Sequence, residues 1–218
     1  MSNSAIQSGQ PSLSNEEREY EMRALISSIW TGGRLFIGIY TFMLASLVFS
    51  YFYLRSSDTG LLWRPDHVTA PRAFGFLIFG LSLVTGLLAY VGRKRLVMGS
   101  FQDFSVAAWS GVVTGLIALL LQIIELSHLS FYPGSSGYAS TFIGFAVMNI
   151  VSLVISAYWL ETTVARGMRI RREVEGENPE FSSNPRARAF RADVAAMSYF
   201  QVFLTLAGAL LFAMFYLM

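Results

Sequence analysis

The chain is 218 residues long, 54% hydrophobic and only 14% charged, with 16 Lys and Arg against 14 Asp and Glu and no cysteine. A soluble domain carries about 25% charged residues, so these charges are too few to coat a globule of this size, in keeping with a mean hydropathy of +0.49. The lack of cysteine excludes disulfides, thiolate metal sites and thiol nucleophiles, and a pI near 9.0 resting on so small a basic excess gives no reason to expect a nucleic-acid partner.

Residues 1–27 form a polar segment, rich in Ser, Asn and Gln up to Pro11 and then acidic at Glu16, Glu17 and Glu19. It does not open with basic residues followed by an apolar core, so it does not read as a secretory signal. Ser14 with Glu17 three residues on has the form of a capping box for a short surface helix. Residues 28–218 predict a membrane domain, because the apolar residues fall in blocks of roughly 20, the length that crosses about 30 Å of hydrocarbon. The spans are predicted at 35–54 (with 24–30 as an inward extension), 73–92 behind Pro71, 106–126, 138–160 and 195–217. Turn residues Pro133, Gly134, Ser135, Ser136 and Gly137 separate the third from the fourth, and a basic loop, 163–193, separates the fourth from the fifth. The blocks are too long and continuous for barrel strands. The predicted class is all-α integral membrane, a bundle of five transmembrane helices.

Lys and Arg set the orientation. Arg18 and Arg23, then Arg93, Lys94 and Arg95, then Arg166, Arg169, Arg171, Arg172, Arg186, Arg188 and Arg191 share one side. Arg34, at the start of the first span, adds to that side, whereas the opposite side has Arg55, Arg64 and Arg72. The expectation is a cytoplasmic N-terminus and an outer C-terminus.

A membrane enzyme or transporter usually reveals itself by ionisable groups within its spans. None of the predicted spans has His, Asp, Lys or Arg near its centre. Glu125 and His128, near the outer end of the third span, read as structural groups that hold the helix end or meet a neighbouring subunit, with proton relay as the alternative. Haem ligation by paired histidines is not expected, since the two histidines, His67 and His128, sit in or beside outer loops. Asn149 in mid-span reads as an interhelical hydrogen-bond former, and Gly111 with Gly115, Ser82 with Gly86 and Ser140 with Gly144 as places of close helix contact. Trp30, Trp63, Trp109 and Trp159, with Tyr51, Tyr53, Tyr138 and Tyr216, gather near span ends and read as an interfacial belt. The run containing Arg166 and Arg169 reads as an anchor to anionic headgroups, or as a protein-docking site. No catalytic, cofactor or metal residue is assigned.

Three stretches carry a family resemblance. Tyr51-Phe52-Tyr53-Leu54-Arg55, followed by Leu62-Trp63-Arg64-Pro65, resembles an aromatic span end, Arg and Trp-Pro-Pro loop. Gln122-Ile-Ile-Glu125 resembles a Gln-x-x-Glu-Tyr segment, and it leads into Tyr138-Ala139-Ser140-Thr141-Phe142, which is similar to Tyr-Gly-Ser-x-Phe. Ser198-Tyr199-Phe200 opens the last span where Tyr-Tyr-Trp-His is common. In this order they resemble subunit III of the haem–copper (cytochrome c oxidase) superfamily, in its five-helix bacterial form, over roughly residues 28–218. Departures mark a divergent member: Tyr40 stands where the family has a carboxylate, Val147 to Ser152 replace a segment with two histidines, and Gln201 lies near a third.

The resemblance implies a non-catalytic subunit of a respiratory terminal oxidase in the bacterial inner membrane. It would stabilise the catalytic subunit and bind phospholipid, with Trp63, Glu125, His128, Tyr138, Asn149, Arg166 and Arg169 as structural, lipid or subunit contacts. Haem and copper would lie in the partner subunits, which would include oxidase subunits I and II. An accessory subunit of a nitric oxide reductase or a quinol oxidase remains open, as does, last in order, a small stand-alone transporter.

Overall fold

The computed structural model describes residues 15–58, 63–65, 68–174, 178, 180 and 184–218. Five helices account for nearly all of them: α1 (Asn15–Ser56), α2 (Arg72–Val97), α3 (Phe101–Ser127), α4 (Gly137–Glu173) and α5 (Pro185–Phe212), the last widening into a π-helical turn over Ala213–Leu217. Each is long and apolar enough to cross a membrane, so the chain is an all-α, multi-pass membrane protein. No strand occurs among the described residues. Ser14, Leu62 and His67, which entered the sequence reading, lie outside them.

Local chemistry sets the helix boundaries. The Ser100 hydroxyl accepts from the Asp103 amide at 3.3 Å, that of Ser136 from Ala139 at 3.1 Å, and the Asn184 side chain from Arg186 at 2.9 Å. These N-caps satisfy amides that have no partner inside the helix, and Pro185 follows at the first helical position, where its missing N–H costs nothing. Gly99, at φ 96°, ends α2 with its amide on Leu96 O. A side chain would resist that backbone, and the next helix begins two residues later.

The helices outrun the predicted spans. At 1.5 Å per residue the 42 residues of α1 extend about 63 Å, twice the hydrocarbon thickness. Likewise α4 continues through Arg166 and Arg169 to Glu173, so the basic run lies on a helix and only the middle of 163–193 joins the two elements.

Helices α4 and α5 form the centre. Both touch α1, α4 also packs on α3, α5 also packs on α2, and α2 pairs with α3. Tyr40, Leu44 and Tyr51 on α1 recur at helical spacing and are buried, while Leu35, Ile39, Phe42 and Phe49 remain exposed. This outward apolar face suits lipid. Of the glycines that the sequence marks for close helix contact, Gly86 and Gly111 sit where the helices leave no room for a side chain. A Cβ on Gly86 would meet Thr205 Oγ1 at 2.1 Å, where α2 crosses α5, and one on Gly111 would meet Leu160 Cδ2 at 2.7 Å, where α3 crosses α4. By contrast a Cβ on Gly115 or Gly144 would find ordinary contact distances.

The core divides into two clusters. At one end of the bundle Leu96, Phe101, Phe104, Leu160, Phe190 and Met197 pack together. That end carries most of the cations: Arg171 lies over the Phe101 ring at 5.2 Å, Arg166 pairs with Asp193 at 3.3 Å and Arg186 with Glu173 at 2.8 Å. The other cluster gathers Tyr51, Trp63, Tyr138, Phe142 and Phe215 at the opposite end.

Candidate functional site

The aromatic end is built around the close of the chain's last helix. A helix leaves its final carbonyls without amide partners, and two tyrosines supply hydroxyls in their place. Tyr51 Oη on α1 donates to Met214 O at 2.8 Å, and Tyr138 Oη on α4 donates to Phe215 O at 2.7 Å. The Trp63 carbonyl accepts the Tyr138 amide at 3.0 Å, and its ring stands edge-on to Tyr51 with centroids 5.0 Å apart. Gly137 makes room for that ring, since a Cβ there would come within 2.8 Å of it. Arg64 then closes over the Tyr138 ring at 4.7 Å.

This corrects the reading of Trp63, Tyr51, Tyr138 and Tyr216 as interfacial belt residues, because all four are buried. Their positions near span ends are as expected, but their hydroxyls and rings are spent inside the bundle. Tyr53 and Trp109 are exposed, as a belt requires.

Beside the aromatic cluster lies a buried polar chain. Glu125, one helical turn beyond Gln122 on α3, is fully buried. Tyr216 Oη donates to both of its carboxylate oxygens, at 2.9 and 3.0 Å, and Gln122 Nε2 donates to Oε2. Asn149 Nδ2 on α4 donates to Gln122 Oε1 at 2.8 Å, so Asn149 is the interhelical hydrogen-bond former expected of it. One turn further along α4, Ser152 Oγ donates to Tyr40 Oη at 2.8 Å, and Ser156 Oγ accepts from Gln201 Nε2. Among the described residues no Lys, Arg or His nitrogen comes within 4 Å of the Glu125 carboxylate. His128 turns away from this chain. It is exposed, and its Nδ1 donates to Ile124 O at 2.9 Å at the end of α3.

A second buried carboxylate serves the Arg-rich end. Asp193, on the first turns of α5, accepts from Trp159 Nε1 at 2.9 Å, Thr163 Oγ1 at 3.3 Å and Arg166 Nη1 at 3.3 Å. It was not singled out from sequence, although its place just ahead of a span and the Trp159, Thr163, Arg166 spacing on one α4 face signal it. Arg166 is therefore tied to the protein through Asp193, whereas Arg169 is exposed. Nearby, a groove of about 500 Å³ runs between α1 and α5 past Trp30, Arg34 and Tyr199. Arg34 lies 6.0 Å from the Trp30 ring centroid and Arg93 lies 4.9 Å from that of Tyr199.

No family model matches the chain, and no curated protein matches it.

Proposed function

We propose that the chain is a non-catalytic membrane subunit of a respiratory haem–copper oxidase, holding the catalytic subunit and phospholipid rather than a redox centre of its own. The observation that carries this reading is convergence. Tyr51, Trp63 and Tyr138, from two separate family-like stretches, pack in one cluster, and Glu125 of the same family-like order accepts from both Gln122 and Tyr216 beside it. Two positions that depart from the family pattern, Tyr40 and Ser152, also bond to each other, as paired replacements would. The haem and copper would belong to partner subunits, including oxidase subunits I and II.

The groove by Arg34 and Arg93 supports the lipid role, since guanidinium groups beside aromatic rings suit an anionic headgroup. The gathering of cations at one end supports an inner-membrane location with that end in the cytoplasm.

Purification in mild detergent through a tag on this chain tests the reading. Co-purification of a haem-bearing oxidase with its visible spectrum is expected. A chain that purifies without any haem protein, or that itself binds haem or copper stoichiometrically, overturns it. For the orientation, a reporter fused at Met218 should be active outside the cytoplasm; activity only in the cytoplasm reverses it.

A further inference from the structure

A small cavity of about 40 Å³ lies in the centre of the bundle, where α2, α3, α4 and α5 meet. One water needs at least about 10–15 Å³ and two to four polar partners, so the cavity is large enough to hold water. The partners are present. Gln122, Asn149, Ser152, Ser156, Gln201 and Tyr216 line it, and all but Asn149 are almost wholly buried. Gln122 and Tyr216 are also the two side chains that bond Glu125. The cavity is thus one hydrogen bond removed from a carboxyl group that has no solvent exposure and, among the described residues, no cation in contact.

The groups around that carboxyl can be named by element. Gln122 comes from α3 itself and Tyr216 from the end of α5, both bonded to it; Tyr138 from α4 lies close by with Arg64 held over its ring, and Tyr51 from α1 lies beyond Tyr138 in the aromatic cluster. From α2, Ser82 and Thr85 face the cavity. None of them supplies a contacting positive charge, and an isolated ionised carboxylate away from water is costly. An amide side chain in its place would accept the Tyr216 bond without that cost, at the expense of the second bond, from Gln122. What a carboxyl adds is an exchangeable proton.

We propose that Glu125 is a proton-binding site inside the membrane domain, reached through water held in the central cavity. A proton arriving along that water is taken up by the Tyr216 hydroxyl oxygen as the Tyr216 O–H proton passes to a carboxylate oxygen of Glu125, giving the neutral acid. One O–H bond breaks on the water and one on Tyr216, one forms on Tyr216 and one on Glu125, and the reverse transfer releases the proton by the same route. The site belongs to this chain alone and stands whether or not the chain serves an oxidase.

Infrared difference spectroscopy on the full chain in lipid nanodiscs, recorded between alkaline and acidic pH in H2O and in D2O, tests the proposal. A protonated-carboxyl C=O band should grow on acidification, shift in D2O, move again when glutamate is labelled with 13C, and be missing from Glu125→Gln. Labelling identifies a buried glutamate band even where that variant does not fold. Asn149→Leu, which removes a polar group from the cavity wall and leaves the carboxyl in place, should slow the D2O shift several-fold. Absence of a glutamate band lost in Glu125→Gln, or a band that never shifts in D2O, overturns the proposal.

Discussion

The hydroxyl of Tyr51 donates to the carbonyl of Met214 at 2.8 Å, joining the end of α1 to the end of the chain's last helix across 163 residues of sequence. Tyr51→Phe keeps the ring and leaves that buried carbonyl without a donor, a loss of about 1–3 kcal/mol. Tyr51→Ala also removes the ring packed on Trp63 and Phe215 and should cost more, about 3–5 kcal/mol. The midpoint of heat-induced loss of the monodisperse gel-filtration peak should fall in that order. A Tyr51→Phe midpoint equal to that of the unaltered protein would show the bond to be idle.

Asp193 and Arg166 should behave unequally although they form one ion pair. The arginine side chain is 65% exposed, and exposed pairs contribute about 0–1 kcal/mol. Truncating Asp193 instead strands the Trp159 Nε1–H and the Thr163 hydroxyl inside the protein. Asp193→Ala is expected to lower thermal stability well beyond Arg166→Ala, by about 1–3 kcal/mol for a buried donor left unpaired. Equal effects would mean that the guanidinium is the partner that matters.

Two glycines on α2 make a controlled comparison. A Cβ at Gly80 meets nothing within 4 Å, whereas one at Gly86 collides with Thr205. Gly86→Ala should destabilise by about 1–3 kcal/mol, as overpacking does. Gly80→Ala should be neutral or slightly stabilising, since alanine costs less backbone entropy in a helix. The same thermal assay reads both, and a mild effect at Gly86 would show that α2 can slide on α5.

A pH response is expected outside the membrane spans. Burial holds the Glu180 carboxyl above its ordinary value of 4.5, with Arg191 and Arg93 pulling it back part of the way. The folded chain therefore binds this proton more tightly than the unfolded one. The contribution to stability is fully present below pH about 4.5 and is lost as pH rises through the folded value. The Arg191 guanidinium donates to the Glu180 carbonyl, so hydrogen exchange near Arg191, corrected for intrinsic rates, should be slower on the acid side of that window. Glu180→Gln should flatten the response, and a slope of opposite sign would refute the assignment.

Much of the architecture was legible in the residues. The spacing of apolar blocks identified five helices, Asn149 read correctly as an interhelical bond, and Glu125 stood out as a carboxyl in a hydrophobic run. Other features were hidden for physical reasons. Tyr216 and Tyr51 sit near span ends, where a tyrosine at the headgroup level and one capping a neighbour's carbonyl leave the same mark in a sequence. Trp63 was hidden in the same way, since only Gly137, 74 residues on, makes its seat. Helix ends were underestimated because hydropathy reports the hydrocarbon crossing, while α1 and α4 keep their hydrogen bonding well past it.

The bond between Glu125 and Tyr216 spans 91 residues, and this has a consequence for biogenesis. Synthesis at about 5–20 residues per second separates the two by roughly 5–20 s. Throughout that interval α3 carries a carboxyl whose tyrosine partner has not yet been made. Insertion of this chain must therefore keep the far end of α3 wet, or in the care of the insertion machinery, until α5 arrives. Only then does the aromatic end of the bundle close.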